Sequence, residues 1–240
     1  MAATIDEARA TKNVKTLFGW LLFRRISLPL SLRVARTRIR PSHITAFGLL
    51  VGLGGAALIG TGSRTLIIAG ALLANAAKIL DAMDGEVARA KFLDTPTGYV
   101  LDGLADRLRD TAVIVGCGVG AFKMAGASST ATTHALVWTI GAVVGYLGFF
   151  YVSGAAPSHW REVRTQTDLE EKHMFRVSAR IRLGAGDSLA VLVLAAALAG
   201  HPLIVDIVVA AVGPLAIALK IRKLLALRPW DRASSETTDH

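Results

Sequence analysis

The sequence predicts an all-α, polytopic membrane protein with six transmembrane helices preceded by an N-terminal interfacial amphipathic helix. Three observations carry this. Of 240 residues, 52% are hydrophobic and the mean hydropathy is +0.48, too apolar for an ordinary soluble domain. Apolar runs near the roughly 17–25 residues that a bilayer demands recur along the chain. Basic residues crowd the connection over residues 157–182 and the stretch after residue 219, whereas residues 61–64, 123–133 and 200–202 carry almost none. The net charge of +9 could suit nucleic acid, but the basic residues flank apolar spans and no nucleic-acid module is visible. Membrane lipid is the expected partner, and nucleic acid is not. Cys117 is the only cysteine and lies in an apolar run, so no intramolecular disulfide forms.

Residues 1–16 are polar and lack the continuous apolar core of a signal peptide. An apolar stretch over residues 17–23 meets Arg24 and Arg25, and residues 28–34 are followed by Arg36, Arg38 and Arg40. This profile predicts a helix lying in the membrane interface, since Arg24, Arg25 and Pro29 interrupt the run before it reaches the ~20 residues of a span. The chain divides into a tail and interfacial helix (residues 1–40), a six-helix membrane domain (41–226) and a disordered cytoplasmic tail (227–240). The first span covers residues 41–60, with Ser42 as its N-cap. The second covers 65–84 and shows a small-residue face of Gly70, Ala71, Ala74, Ala76 and Ala77 suited to close packing in lipid. Lys78, one turn before Asp81, is expected to pair with a carboxylate rather than snorkel. The remaining spans cover 98–122, 135–154, 183–200 and 202–219. Asp110 is expected to pair with Arg107 or Arg109, while Asp187 and Asp206 receive no role. The alternation of basic connections places both termini, and the junction of the second and third spans, at the cytoplasmic face of a plasma or inner membrane.

That junction gathers the chemistry. Asp81 and Asp84 are three apart and Asp102 and Asp106 four apart, separations at which helical side chains share a face. Between the pairs, Pro96 and Gly98 end one helix and begin another. Four carboxylates so placed repel one another, and ionisable groups at the end of a membrane helix are costly unless paired or functional. Hard oxygen ligands without His or Cys favour Mg²⁺, Mn²⁺ or Ca²⁺ over zinc. Two such ions about 3.5–4 Å apart would balance the charge and form the clamp used in phosphoryl chemistry.

Residues 81–106 read D-x2-D-G-x2-A-R-x8-G-x3-D-x3-D, with Asp81, Asp84, Gly85, Ala88, Arg89, Gly98, Asp102 and Asp106 in place. This resembles the signature of the CDP-alcohol phosphotransferases. The resemblance implies an enzyme of phospholipid biosynthesis, working as a homodimer, that uses a CDP-linked donor and a small alcohol acceptor and releases CMP. It implies two divalent cations, Mg²⁺ or Mn²⁺, with Ca²⁺ bound without turnover, held by Asp81, Asp84, Asp102 and Asp106. Asp106 would also be the base that deprotonates the acceptor. Gly85, Ala88, Arg89, Thr95 and Gly98 would meet the donor: Gly85 and Ala88 offer little bulk, and Arg89 offers a planar fork suited to phosphate. Thr95 reads equally well as a turn residue before Pro96. The commonest reaction of the family joins CDP-diacylglycerol to an alcohol such as inositol phosphate. Residues 84–92 also resemble the branch that joins CDP-inositol to inositol phosphate, making a soluble phosphodiester. Val152, Ser153 and Gly154 stand where an inositol-phosphate lipid synthase is expected to show Ser-x-x-Lys-Ala-Arg. Arg161, Arg164, Arg176, Arg180 and Arg182 are the candidates to hold an acceptor phosphate. The rival class is a membrane cation transporter, but transporters place ions near the bilayer midplane between repeated halves, and here the acids sit by a basic interface with no repeat.

Overall fold

The computed structural model describes residues 23–93, 95–126, 129–154, 174–176 and 182–225. In order these form α1 (Arg24–Ala35), α2 (Pro41–Ile59), α3 (Arg64–Lys91), α4 (Pro96–Ala125), α5 (Ser129–Gly154), β1 (Met174–Arg176), β2 (Arg182–Gly184), α6 (Ala185–Ala199) and α7 (Leu203–Leu225). The described residues are thus almost wholly helical. Four stretches are long and apolar enough to cross a membrane: Pro41–Ile59, Arg64–Lys91, Thr130–Ser153 and Leu203–Arg222. Apolar α6 is shorter, at 15 residues. The 30-residue α4 carries Asp102, Asp106, Arg107, Arg109 and Asp110 in its first half and an apolar second half.

Small residues set how closely the helices approach. A Cβ on Gly70 of α3 would stand 2.5 Å from the carbonyl oxygen of Gly55 and 2.9 Å from the amide nitrogen of Ile59, both on α2. Gly116 and Gly120 of α4 bring that helix against the backbone at Ala56 and Ile59, and Gly213 of α7 lies on the backbone of Gly145 in α5. The glycines therefore permit backbone contact that larger side chains would forbid. Around these contacts Ile59, Ile67, Ile114, Val193 and Val205 form a buried core. Leu50, Leu72, Val137, Ile140 and Leu215 point outward, the reverse of a water-soluble surface.

The α1 helix turns Ser27 and Ser31 inward and exposes Ile26 and Leu30. Ser27 Oγ donates to Glu86 Oε1 on α3 at 3.0 Å, and Arg24 Nε lies 3.6 Å from the same oxygen. Burial pulls the Arg24 guanidinium below its usual range, with Glu86 acting against that shift. At the other end, Lys91 Nζ donates to the carbonyls of Thr37 and Ile39 at 2.7 and 2.6 Å. The connection after α1 is thereby pinned to the end of α3.

Several boundaries differ from expectation. The α1 helix runs through Pro29. Pro41 at the first turn opens α2 after Arg40, so Ser42 lies inside the helix and is not its cap. Helix α3 continues past Asp84 to Lys91, where Phe92 adopts a left-handed conformation at φ 57° and Leu93 N–H closes on Ala88 O at 2.9 Å. Gly85 costs a helix only about 1 kcal/mol relative to alanine, too little to end it. The polar connection before α6 contains the antiparallel pair β1–β2, in register Met174↔Gly184, Phe175↔Leu183 and Arg176↔Arg182, which no alternating apolar pattern announces. Residues 1–22 and 227–240, with Arg161, Arg164 and Arg180, lie outside the described residues.

Candidate active site

The end of α3 and the start of α4 bring the acidic residues together. Asp81 and Asp106 are bridged by Lys78, whose Nζ donates to Asp81 Oδ2 and Asp106 Oδ1 at 3.2 Å each. Arg109 makes a second bridge, with Nη1 3.4 Å from Asp81 Oδ1 and Nη2 in direct contact with Asp106 Oδ1. Lysine and arginine thus compensate two carboxylates from different helices. The expected pairing of Lys78 is present, and it reaches both helices.

Asp84 is buried and accepts from Thr45 Oγ1 of α2 at 2.6 Å. Asp102 lies close enough to Asp84 for their charges to repel, and its Oδ1 is buried with no hydrogen-bond partner among the described residues. Among the described residues no three acidic, His or Cys side chains converge as a ready metal-holding group. The oxygens of Asp81 and Asp106 are instead engaged by Lys78 and Arg109.

Gly85 sits under the guanidinium of Arg89, where an added Cβ would stand 3.2 Å from Nη1. The neighbouring turn is organised by Thr95, the N-cap of α4, whose Oγ1 accepts from Gly98 N–H at 3.0 Å. That bond satisfies an amide otherwise left open at a helix start, so Thr95 has a structural task here. Ala88 lies one turn after Asp84 on α3. Arg176 and Arg182, of the candidate acceptor residues, stand opposite each other as backbone partners across β1 and β2.

Four contacts escaped the sequence reading. Asp110 does pair with Arg109, Nε to Oδ1 at 3.3 Å, but it also accepts from Tyr146 OH of α5 at 2.5 Å. The signal was a tyrosine hydroxyl in an apolar run, which needs a partner when buried. Arg107 instead approaches Asp106 Oδ2 at 3.7 Å and stacks over the Phe150 ring at 3.9 Å. Glu86 receives α1, as described above. Asp206, left without a role, accepts from Thr139 Oγ1 at 2.7 Å and is fully buried.

An acidic cluster shared by two helices and compensated by buried cations, within a bundle of long apolar helices, marks a membrane protein with a buried polar cluster. Residues 38–218 match the profile of the CDP-alcohol phosphatidyltransferases. The chain therefore belongs to the CDP-alcohol phosphatidyltransferase family. It is 40% identical over 101 residues to the archaetidylinositol phosphate synthase of Methanothermobacter thermautotrophicus, an alignment covering 42% of this chain and 49% of that protein. It is 34% identical over 85 residues to the bifunctional IPC transferase and DIPP synthase of Rubrobacter xylanophilus, covering 35% of this chain and 19% of that one. The similarity thus spans about half of the first relative and a fifth of the second.

Proposed function

We propose that this protein is an integral-membrane transferase that moves a substituted phosphoryl group from CDP-diacylglycerol to the hydroxyl of inositol phosphate, releasing CMP. The observation that carries the reading is the Asp81–Asp106 pair, held across two helices within the family's motif. The name of the archaeal relative, a synthase of archaetidylinositol phosphate, supports an inositol-phosphate acceptor. A second reading, transfer from CDP-inositol to inositol phosphate, is favoured by the similarity to a protein named as a DIPP synthase.

The donor chemistry of the acidic set, rather than a ready-made convergence of its side chains, suits a hard divalent cation. Its donors are all carboxylate oxygens, Asp102 Oδ1 is buried without a partner among the described residues, and Asp106 Oδ1 already draws two cations. Asp81, Asp84, Asp102 and Asp106 would hold Mg²⁺ or Mn²⁺, which when bound neutralises pyrophosphate oxygens and spreads the charge that develops on them. Around that centre the chain's own groups divide the work. Thr45 orients Asp84, and Arg89 offers its fork to a donor phosphate above the small Gly85. Asp106 takes the proton of the acceptor hydroxyl. Arg161, Arg164, Arg176, Arg180 and Arg182 receive the acceptor's own phosphate.

The wider assignment is six spans, with α4 and α6 crossing beside the four long apolar helices, and with the motif and both termini on the cytoplasmic side. The α1 helix lies in the interface, since it exposes apolar Ile26 and Leu30 beside basic Arg25 and Arg33. Two copies form the working unit. The test is CMP release by the purified protein with Mg²⁺ or Mn²⁺, with CDP-diacylglycerol and CDP-inositol as donors across a panel of alcohols. Release with CDP-diacylglycerol and inositol phosphate supports the first reading; release with CDP-inositol alone replaces it by the second. Release with neither donor removes both.

A further inference from the structure

The two cations that bridge Asp81 and Asp106 constrain them differently. The Lys78 ammonium is a compact charge with rotating donors, whereas the Arg109 guanidinium is a planar fork whose direction sets the tilt of the carboxylate it meets. What fixes Arg109 therefore fixes Asp106, and groups outside the motif do so from two other helices. Arg109 Nε donates to Asp110 Oδ1 at 3.3 Å, and Asp110 Oδ2 accepts from Tyr146 OH of α5 at 2.5 Å. The stem of Arg109 fills the space left by Gly52 of α2, where an added Cβ would stand 2.5 Å from Arg109 Cδ. Arg109, Asp110 and Tyr146 are all buried, where low polarity strengthens such contacts. The chain of contacts runs from α5 through Asp110 and Arg109 to Oδ1 of Asp106, the oxygen on which Lys78 also converges.

We propose that Tyr146 and Gly52 are positioning residues for the transfer: Tyr146, through Asp110, and Gly52, by admitting the arginine stem, hold Arg109 so that the Asp106 carboxylate keeps the orientation in which it meets the acceptor hydroxyl. The proposal rests on the reading that Asp106 is the base. A base oriented by a third group recurs wherever a side chain must be aimed at a reacting atom, and a misplacement of about 1 Å can cost roughly 10²-fold in rate. Neither residue needs to touch substrate. A hydroxyl on α5 and the absence of a methyl on α2 thus act at one carboxylate on α4.

The experiment measures kcat and KM for CMP release by the purified chain in detergent with Mg²⁺, inositol phosphate and whichever of CDP-diacylglycerol and CDP-inositol the native protein uses. Native protein, Tyr146→Phe, Gly52→Ala and Gly54→Ala are compared, each with Asp106 intact and in the Asp106→Asn background. Tyr146→Phe and Gly52→Ala should each lower kcat at least about tenfold, within the range that misplacing a reacting group spans, while the donor KM stays close to native. Gly54→Ala, on the same helix but with nothing within 4 Å of an added Cβ, should keep the native kcat. In the Asp106→Asn background neither Tyr146→Phe nor Gly52→Ala should lower turnover further, because the group they orient is already lost. A merely structural role would act alike in both backgrounds. Native kcat in Tyr146→Phe or in Gly52→Ala, a change confined to KM, or an equal fall in the Asp106→Asn background overturns the proposal. If one variant does not fold the other decides, and Asp110→Asn, which should lower kcat in the same way, decides if neither does. Failure of the underlying reading is separately visible: no CMP release from either donor, or native turnover in Asp106→Asn alone, removes the base and this proposal with it.

Discussion

Asp81 of α3 and Asp106 of α4 share one ammonium, that of Lys78, at 3.2 Å from each carboxylate. The relationship joins the two halves of the motif across an interhelical gap, and it makes the roles of the two aspartates separable by substitution. On the proposed assignment Asp81→Asn removes an oxygen ligand where charge balance is tight, so metal and CDP-donor affinity should fall together. Equilibrium binding of a CDP-linked donor at several Mn²⁺ concentrations checks this. Donor affinity that stays native at every concentration would remove Asp81 from the metal site.

The α1 helix is anchored to α3 through Glu86, whose Oε1 takes Ser27 and Arg24 and whose Oε2 is buried without a partner among the described residues. Ser27→Ala strips a hydrogen bond from a buried carboxylate, at a cost of about 1–3 kcal/mol. Thermal unfolding in detergent should show a lowered midpoint. No shift would mean that α1 contributes nothing to the stability of the bundle.

Gly70→Ala should be among the more damaging small changes. Its added methyl would meet backbone of α2 at 2.5 Å, where no flexible side chain gives way, and overpacking of this kind costs about 1–3 kcal/mol. The comparison is Gly54→Ala, where an added Cβ meets nothing within 4 Å and the midpoint should hold or rise. Equal effects of the two substitutions would contradict the close α2–α3 approach.

The proposed topology rests on the alternation of basic connections. Reporter fusions after Gly200 and after Leu227 should report opposite sides of the membrane. Both on one side would overturn the six-span assignment.

The helices were legible where the chain writes its own punctuation. Pro41 and Pro96 each occupy the first turn of a helix, and the spacing of Asp81, Asp84, Asp102 and Asp106 marked two faces before any coordinates. What sequence could not give was the approach between helices. Arg109 could be paired with its neighbour Asp110 by spacing, but its reach to Asp81 depends on where α3 lies relative to α4 and on Gly52 clearing room for its stem. Thr45 with Asp84, Tyr146 with Asp110 and Thr139 with Asp206 are likewise pairs across helices, separated by 39, 36 and 67 residues. Periodicity within one helix carries no such information. The β1–β2 pair was missed for another reason: three-residue strands are too short to show an alternation.

The central claim is that Asp106 is the base of a CMP-releasing transfer. The most direct test measures CMP release from CDP-diacylglycerol with inositol phosphate and Mg²⁺, for the native protein and for Asp106→Asn, beside donor affinity in both. The account predicts that Asp106→Asn binds donor within a few-fold of native while turnover falls by the ~10²–10⁴-fold carried by a positioned acid–base group. Turnover near the native rate in Asp106→Asn would contradict it.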